Sequence, residues 1–198
     1  MTKIERPVVL GTGQLGMAIM DELVSLDLPV VMVNRSGRVA EALSSGVMVR
    51  AADLYDPTVV QAVCEDADVV FLCAQPDYTA WPEQFPPLID AVLDGIKDQR
   101  VTLDFGDNLY MYGPTGGQPL REDLPYAATG RKGRTRADIA TRLLAAHEPG
   151  RLEVVLGRGS DFYGPRVTDS SAGETLFGAA IAGNPVNLIG DIDQPHTY

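Results

Sequence analysis

Short apolar runs recur along the chain at residues 7–10, 29–33, 47–49, 68–73, 101–105 and 152–156. Most lack polar alternation, which fits strands covered on both faces in a parallel sheet. Between the runs, apolar positions switch to helical spacing. Met17, Ala18, Ile19, Met20, Leu23 and Val24 follow the first run. Asp56-Pro57 offers an N-cap and a first-turn proline ahead of Val59, Val60 and Val63. Leu88, Ile89, Val92, Leu93 and Ile96 form one stripe, and Ile139, Leu143 and Leu144 form another. A further helix is expected over Val39, Ala40, Ala42 and Leu43, ended by Gly46. Repeated strand–helix units predict a doubly wound α/β fold, whose ligands sit at the carboxyl ends of the strands.

The strand-to-helix turns therefore carry the candidate chemistry. Gly11-Thr12-Gly13-Gln14-Leu15-Gly16 directly follows the first strand and opens an apolar helix. In this context Gly11 permits the tight turn, Gly13 lets backbone approach a diphosphate, and Gly16 lets the helix pack closely. The free N–H groups and positive dipole end of the helix favour an anion. The second strand ends at Asn34-Arg35-Ser36, where an NAD enzyme would carry an acid for the ribose hydroxyls. Arg35 and Ser36 instead suit a 2′-phosphate, with Arg38 adding charge, so NADP is expected and NAD is the alternative. Solvated loop charge is the other reading of Arg35 and Arg38. Asp53 and Leu54 follow the third strand and are placed to bracket an adenine, while Cys73-Ala74 ends the fourth beside the cofactor.

Composition narrows the partners. The 198 residues carry a formal charge of −11, with 45% apolar and 22% charged side chains. That is the balance of a globular protein of one domain with a small appendage. The acidic surface argues against nucleic acid and anionic membrane partners, so an anionic ligand needs a local basic pocket. Cys64 and Cys73 lack CxxC spacing, and His147 and His196 lack a metal-like neighbour set, so no metal is expected. No apolar stretch approaches a membrane span, and a cytoplasmic location is expected. There is no GxxxxGK[ST] loop and no GxSxG elbow.

The glycine loop, Asp53-Leu54, Tyr112-Gly113-Pro114, the basic segment from Lys132 and the run from Gly157 to Pro165 together resemble the short-chain dehydrogenase/reductase superfamily. Within it the resemblance is to the extended and atypical branches of the epimerase/dehydratase type. It implies a Rossmann-type, NAD(P)-binding domain, here residues 1–159, followed by the start of a smaller substrate-binding region over 160–198 that is expected to be truncated. The extended branch usually has GxxGxxG, whereas Leu10 occupies the first glycine position. The family places Ser or Thr after the fifth strand and a YxxxK pair on the next helix. Here Asn108 stands at the hydroxyl position, Lys132 at the tyrosine position and Arg136 at the lysine position. The i to i+4 spacing survives, so Lys132 and Arg136 share a helix face.

The expected roles are proton transfer by Lys132, cofactor binding by Arg136 and orientation of the substrate oxygen by Asn108. Tyr112, with Tyr110, is a candidate replacement phenol, although such tyrosines are usually packing residues. The resemblance places Arg158 and Tyr163 at the substrate side, with Asp161 equally a turn former. The overall expectation is hydride transfer on a small carbonyl or hydroxyl compound, or else dinucleotide binding without turnover. A helix over 172–182, with Leu176, Phe177, Ala180 and Ile181, is expected to leave an apolar patch that favours self-association.

Overall fold

The computed structural model describes residues 4–170, 173–187 and 193. Its strands are β1 Pro7–Leu10, β2 Val30–Asn34, β3 Val47–Ala51, β4 Val69–Leu72, β5 Val101–Asp107 and β6 Leu152–Arg158. They form one parallel sheet in the order β3-β2-β1-β4-β5-β6. Val8 pairs with Val31 on one side and with Val70 on the other. The chain thus winds outward from β1 twice, in opposite directions, and a crevice opens where the order reverses between β1 and β4. This is the doubly wound Rossmann architecture.

One face of the sheet is covered by α1 Gln14–Ser25, which lays Met17, Met20 and Leu23 on Val9, Val30 and Met32. On the other face lie α2 Pro57–Cys64, α3 Trp81–Ile96 and α4 Arg131–Ala146. There Leu10, Leu72, Leu103 and Phe105 meet Val60, Phe85, Ile89, Val92, Ile139 and Leu143. Each such side chain contributes roughly 1.5 to 3 kcal/mol on burial. Asp56 caps α2 by accepting from the N–H groups of Thr58 and Val59. The α3 helix carries Pro86 and Pro87 in its interior. Each proline costs about 3 kcal/mol in an ordinary helix. Burial of Trp81, Phe85, Leu88 and Ile89 offsets that cost.

Several sequence expectations are corrected. No helix forms over residues 39–43. Asn34 Nδ2 donates to the Arg38 carbonyl at 2.8 Å, capturing a group that a helix start would use. Gly37 sits at φ +66°, and the short remainder has too few residues to recover the nucleation cost. Leu144 is half-exposed rather than part of the α4 stripe, and the edge strands β3 and β6 leave Met48 and Val155 open. Instead of one helix over 172–182, a π-helical turn at Gly173–Gly178 leads into the short α5 Ala179–Ile181. Ala172 and His196 lie outside the described residues.

Candidate functional site

A cleft of about 950 Å³ lies at the carboxyl ends of β1, β2, β4 and β5, its wall formed by the turns that follow them. Gly11 stands at φ +117°, and its N–H donates to the Val33 carbonyl at 2.8 Å. A Cβ there would lie 2.6 Å from the Ala74 backbone nitrogen, because the turn after β4 crosses this point. A Cβ at Gly16 would overlap the Gly11 carbonyl oxygen, so α1 can approach the sheet only through glycine. At Gly13 nothing lies within 4 Å, and the open space belongs to the cleft. No side chain caps α1 and no acid occupies its first turn. Its first N–H groups, from Gln14 and Leu15, are left for a ligand in the cleft.

The adenosine side is built around Asn34. Its Nδ2 donates to Thr12 Oγ1 at 2.8 Å, and its Oδ1 accepts from the N–H groups of Ser36 and Gly37 at 3.0 and 2.7 Å. Asn34 thus ties the glycine loop to the turn after β2. Arg35 lines the cleft; Ser36 does not, and its hydroxyl is occupied within its own turn by the Arg38 carbonyl. Asp53, Leu54 and Tyr55 line the wall beyond β3, and Asp53 accepts from the Tyr55 N–H at 3.1 Å. Cys73 and Ala74 line the opposite wall. Burial pushes both the Cys73 and Cys64 thiols up to about 12.

Asn108 borders the cleft at the end of β5, and its Oδ1 accepts from the Tyr110 N–H at 3.0 Å. Arg136 also lines it, buried to 3% exposure, with its guanidinium 4.1 Å above the Trp81 ring. It donates to Asp107 at 3.3 Å and to Gln75 at 3.2 Å. Asp107 is fully buried and accepts from Arg158 as well, also at 3.3 Å. Burial pushes the Asp107 carboxyl up, while the two guanidiniums pull it down. Arg136 is lowered to about 10, chiefly by its own burial.

Arg158 also donates to the hydroxyls of Tyr112 and Tyr126. Tyr112, Arg158 and Lys132 are not in the cleft wall, whereas Asn108, Arg136 and Tyr163 are. Lys132 places its ammonium 2.8 Å from the centre of the Tyr78 ring. The segment 162–170 after β6 folds back along the cleft. Arg166 secures it, donating to Glu41 at 2.8 Å and also to Asp21 of α1.

Sequence reasoning missed Tyr55, Tyr78 and Trp81, which all line the cleft. Their signal was position, since each lies between a strand's carboxyl end and the next helix or at the start of that helix. Prolines 82, 86 and 87 concealed the first two turns of α3, and with them Trp81.

The family model for the NAD dependent epimerase/dehydratase family matches residues 8–196, and the chain belongs to that family. No curated protein matches the sequence. Among solved structures, a UDP-galactose 4-epimerase is 22% identical with a TM-score of 0.74, over 91% of this chain and 64% of that one. The UDP-N-acetylglucosamine 4-epimerase from Methanobrevibacter ruminantium M1, in complex with UDP-N-acetylmuramic acid, is 21% identical with a TM-score of 0.80. It is covered to 68%, against 98% of this chain. The UDP-glucuronic acid 4-epimerase from Bacillus cereus, in complex with UDP-glucuronic acid and NAD, is 19% identical with a TM-score of 0.76. There the match spans 94% of this chain and 66% of that one. The chain thus spans about two thirds of the length of these relatives, and the likeness is one of fold. Among the described residues no helix is long and apolar enough to cross a membrane, and no group of acidic, His or Cys side chains could hold a metal ion.

Proposed function

We propose that the cleft binds a nicotinamide dinucleotide, NADP in preference to NAD, and that the chain is an epimerase/dehydratase-like oxidoreductase acting on a small hydroxyl or carbonyl compound. The observation that carries this reading is the uncapped start of α1, set at the reversal of strand order with open space at Gly13. The amides of Gln14 and Leu15 would hold the diphosphate, and Arg35 the 2′-phosphate. Leu54 and Tyr55 would flank the adenine, with Asp53 fixing their turn. Bound there, the dinucleotide would supply hydride chemistry. Asn108 would orient a substrate oxygen by a hydrogen bond, since its amide does not titrate near neutrality. Arg136 would form the floor of the nicotinamide end, with Asp107 and Trp81 holding its guanidinium in place. Tyr163 would border the substrate, and Arg158 would act behind it by fixing Tyr112 and Tyr126.

Calorimetric titration tests the cofactor assignment. NADP should bind more tightly than NAD, and Arg35→Ala should remove a charged hydrogen bond of roughly 1.5 to 3 kcal/mol. Equal wild-type affinities, or an unchanged NADP affinity in the variant, would count against it. A second reading, dinucleotide binding without turnover, is favoured by Asn108, Lys132 and Arg136 standing where the hydroxyl, tyrosine and lysine are expected. Its signature is tight NADP binding with no NADPH consumed by any carbonyl compound offered. The exposed side chains of Phe177 and Ile181 support self-association, which light scattering would detect as a mass above that of the monomer.

A further inference from the structure

Beside the cleft lies a cluster that the family pattern does not contain. Tyr78, in the turn between β4 and α3, and Tyr110, in the turn after β5, both line the cleft and bring their hydroxyls to 3.5 Å. That approach is long for a hydrogen bond. Trp81 fixes the Tyr78 ring edge-on, with centroids 4.9 Å apart. The Lys132 ammonium covers the ring face at 2.8 Å, within the range of a cation–π contact. The pairing of a phenol with a lysine, lost from α4 in sequence, is thus rebuilt in space from two separate elements.

We propose that Tyr78 is the residue that exchanges a proton with the substrate oxygen, and that Lys132 and Tyr110 are positioning residues that stabilise its phenolate. This rests on reading the cleft as a nicotinamide dinucleotide site. In the oxidising direction the substrate O–H bond breaks and its proton passes to the Tyr78 phenolate oxygen. The O–H electron pair becomes the second bond of the new carbonyl, while the carbon-bound hydrogen leaves with its electron pair to the oxidised dinucleotide. In the reducing direction Tyr78 gives the proton and recovers one from water, which its half-exposed ring can reach.

The charges around the pair favour this division of roles. Facing Tyr78 are Tyr110 from the turn after β5 and, from α4, Lys132 and Arg136. Its neighbour Asp77 has its carboxylate occupied by Thr79, and Asp161 bears on Tyr110. The hydrogen bond from Tyr110, followed by the nearby cations, lowers the Tyr78 phenol below the ordinary tyrosine value of 10. Tyr110 is pushed up to about 12 by the same hydrogen bond and by its own burial. One phenol is set to lose its proton and the other to keep it. For oxidation the rate should therefore rise as pH climbs through the Tyr78 value, and for reduction it should fall.

Ultraviolet titration of phenolate in the full chain tests the assignment without requiring a substrate. Of the 7 tyrosines, one should ionise below the ordinary range. Tyr78→Phe should remove that early step, Lys132→Met should shift it upward, and Lys132→Arg should restore it. Oxidised NADP, whose nicotinamide ring is cationic, should shift the step to lower pH than NADPH does. Survival of the early step in Tyr78→Phe, or equal titrations with the oxidised and reduced dinucleotide both shown to be bound, would overturn the assignment alone. A wild-type chain that binds neither NADP nor NAD by calorimetry would overturn the cofactor reading and the assignment with it.

Discussion

The three glycines of the loop make separable demands, and alanine substitution at each should reveal which. At Gly11 an added Cβ meets only backbone, 2.6 Å from the Ala74 nitrogen and 2.9 Å from both Ala74 Cα and the Cys73 carbonyl carbon, at φ +117°. Backbone strain of about 1 to 2 kcal/mol then adds to overpacking of about 1 to 3 kcal/mol, so Gly11→Ala should cost roughly 2 to 5 kcal/mol. For a chain of this size that lowers the melting temperature by roughly 4 to 20 °C. Gly16→Ala should fall in the same class, because the Gly11 carbonyl must move. Gly13→Ala meets nothing within 4 Å at φ −74°, so it should melt close to the wild type while its methyl group intrudes on the dinucleotide. Thermal unfolding by circular dichroism, paired with calorimetric NADP titration, reads both effects. Wild-type stability in Gly11→Ala, or a large loss of stability in Gly13→Ala, would refute the packing argument. Wild-type NADP affinity in Gly13→Ala would refute the diphosphate cradle.

Other consequences can be checked independently. Asp56, which caps α2, is held below the carboxylate value of 3.8 by its bonds to Thr58 and Val59, so its contribution is present above that pH and lost as pH falls through the lowered value. Asp56→Ala should therefore melt lower at neutral pH, and the gap to wild type should narrow in acid; a gap independent of pH would contradict the cap. Cys64 and Cys73, both pushed up to about 12, should react with iodoacetamide at neutral pH far more slowly than a free thiol, and rapid labelling of Cys73 would contradict its burial. Arg166→Ala should free the segment 162–170 from α1 and speed limited proteolysis there, whereas an unchanged cleavage pattern would show that the Asp21 and Glu41 contacts do not hold it.

What the sequence disclosed was whatever depends on local chemistry. Six apolar runs and the cap at Asp56 marked strands and helices because periodicity and capping act over a few residues. The glycine loop was legible because its spacing is dictated by close approaches that the structure shows at Gly11 and Gly16. The turn at 35–46 was misread because Asn34, a residue outside it, competes for its backbone groups. The end of the cleft at β5 and α4 was least legible. Asp107 faces both Arg136 and Arg158 only once α4 is laid across β5 and β6, and Tyr78 meets Lys132 across 54 residues of chain. No local pattern encodes such a meeting. The helix spacing put Lys132 and Arg136 on one face, but it could not show that Lys132 packs on the Tyr78 ring while only Arg136 reaches the cleft wall.

A dinucleotide bound in this cleft should have its nicotinamide end at the tyrosine pair. A crystal structure of the chain grown with NADP tests it most directly. The diphosphate should lie on the amides of Gln14 and Leu15 at the start of α1, the 2′-phosphate against Arg35, and the nicotinamide between Asn108 and Tyr78. A diphosphate bound elsewhere, or a nicotinamide end remote from Tyr78 and Asn108, would contradict the account.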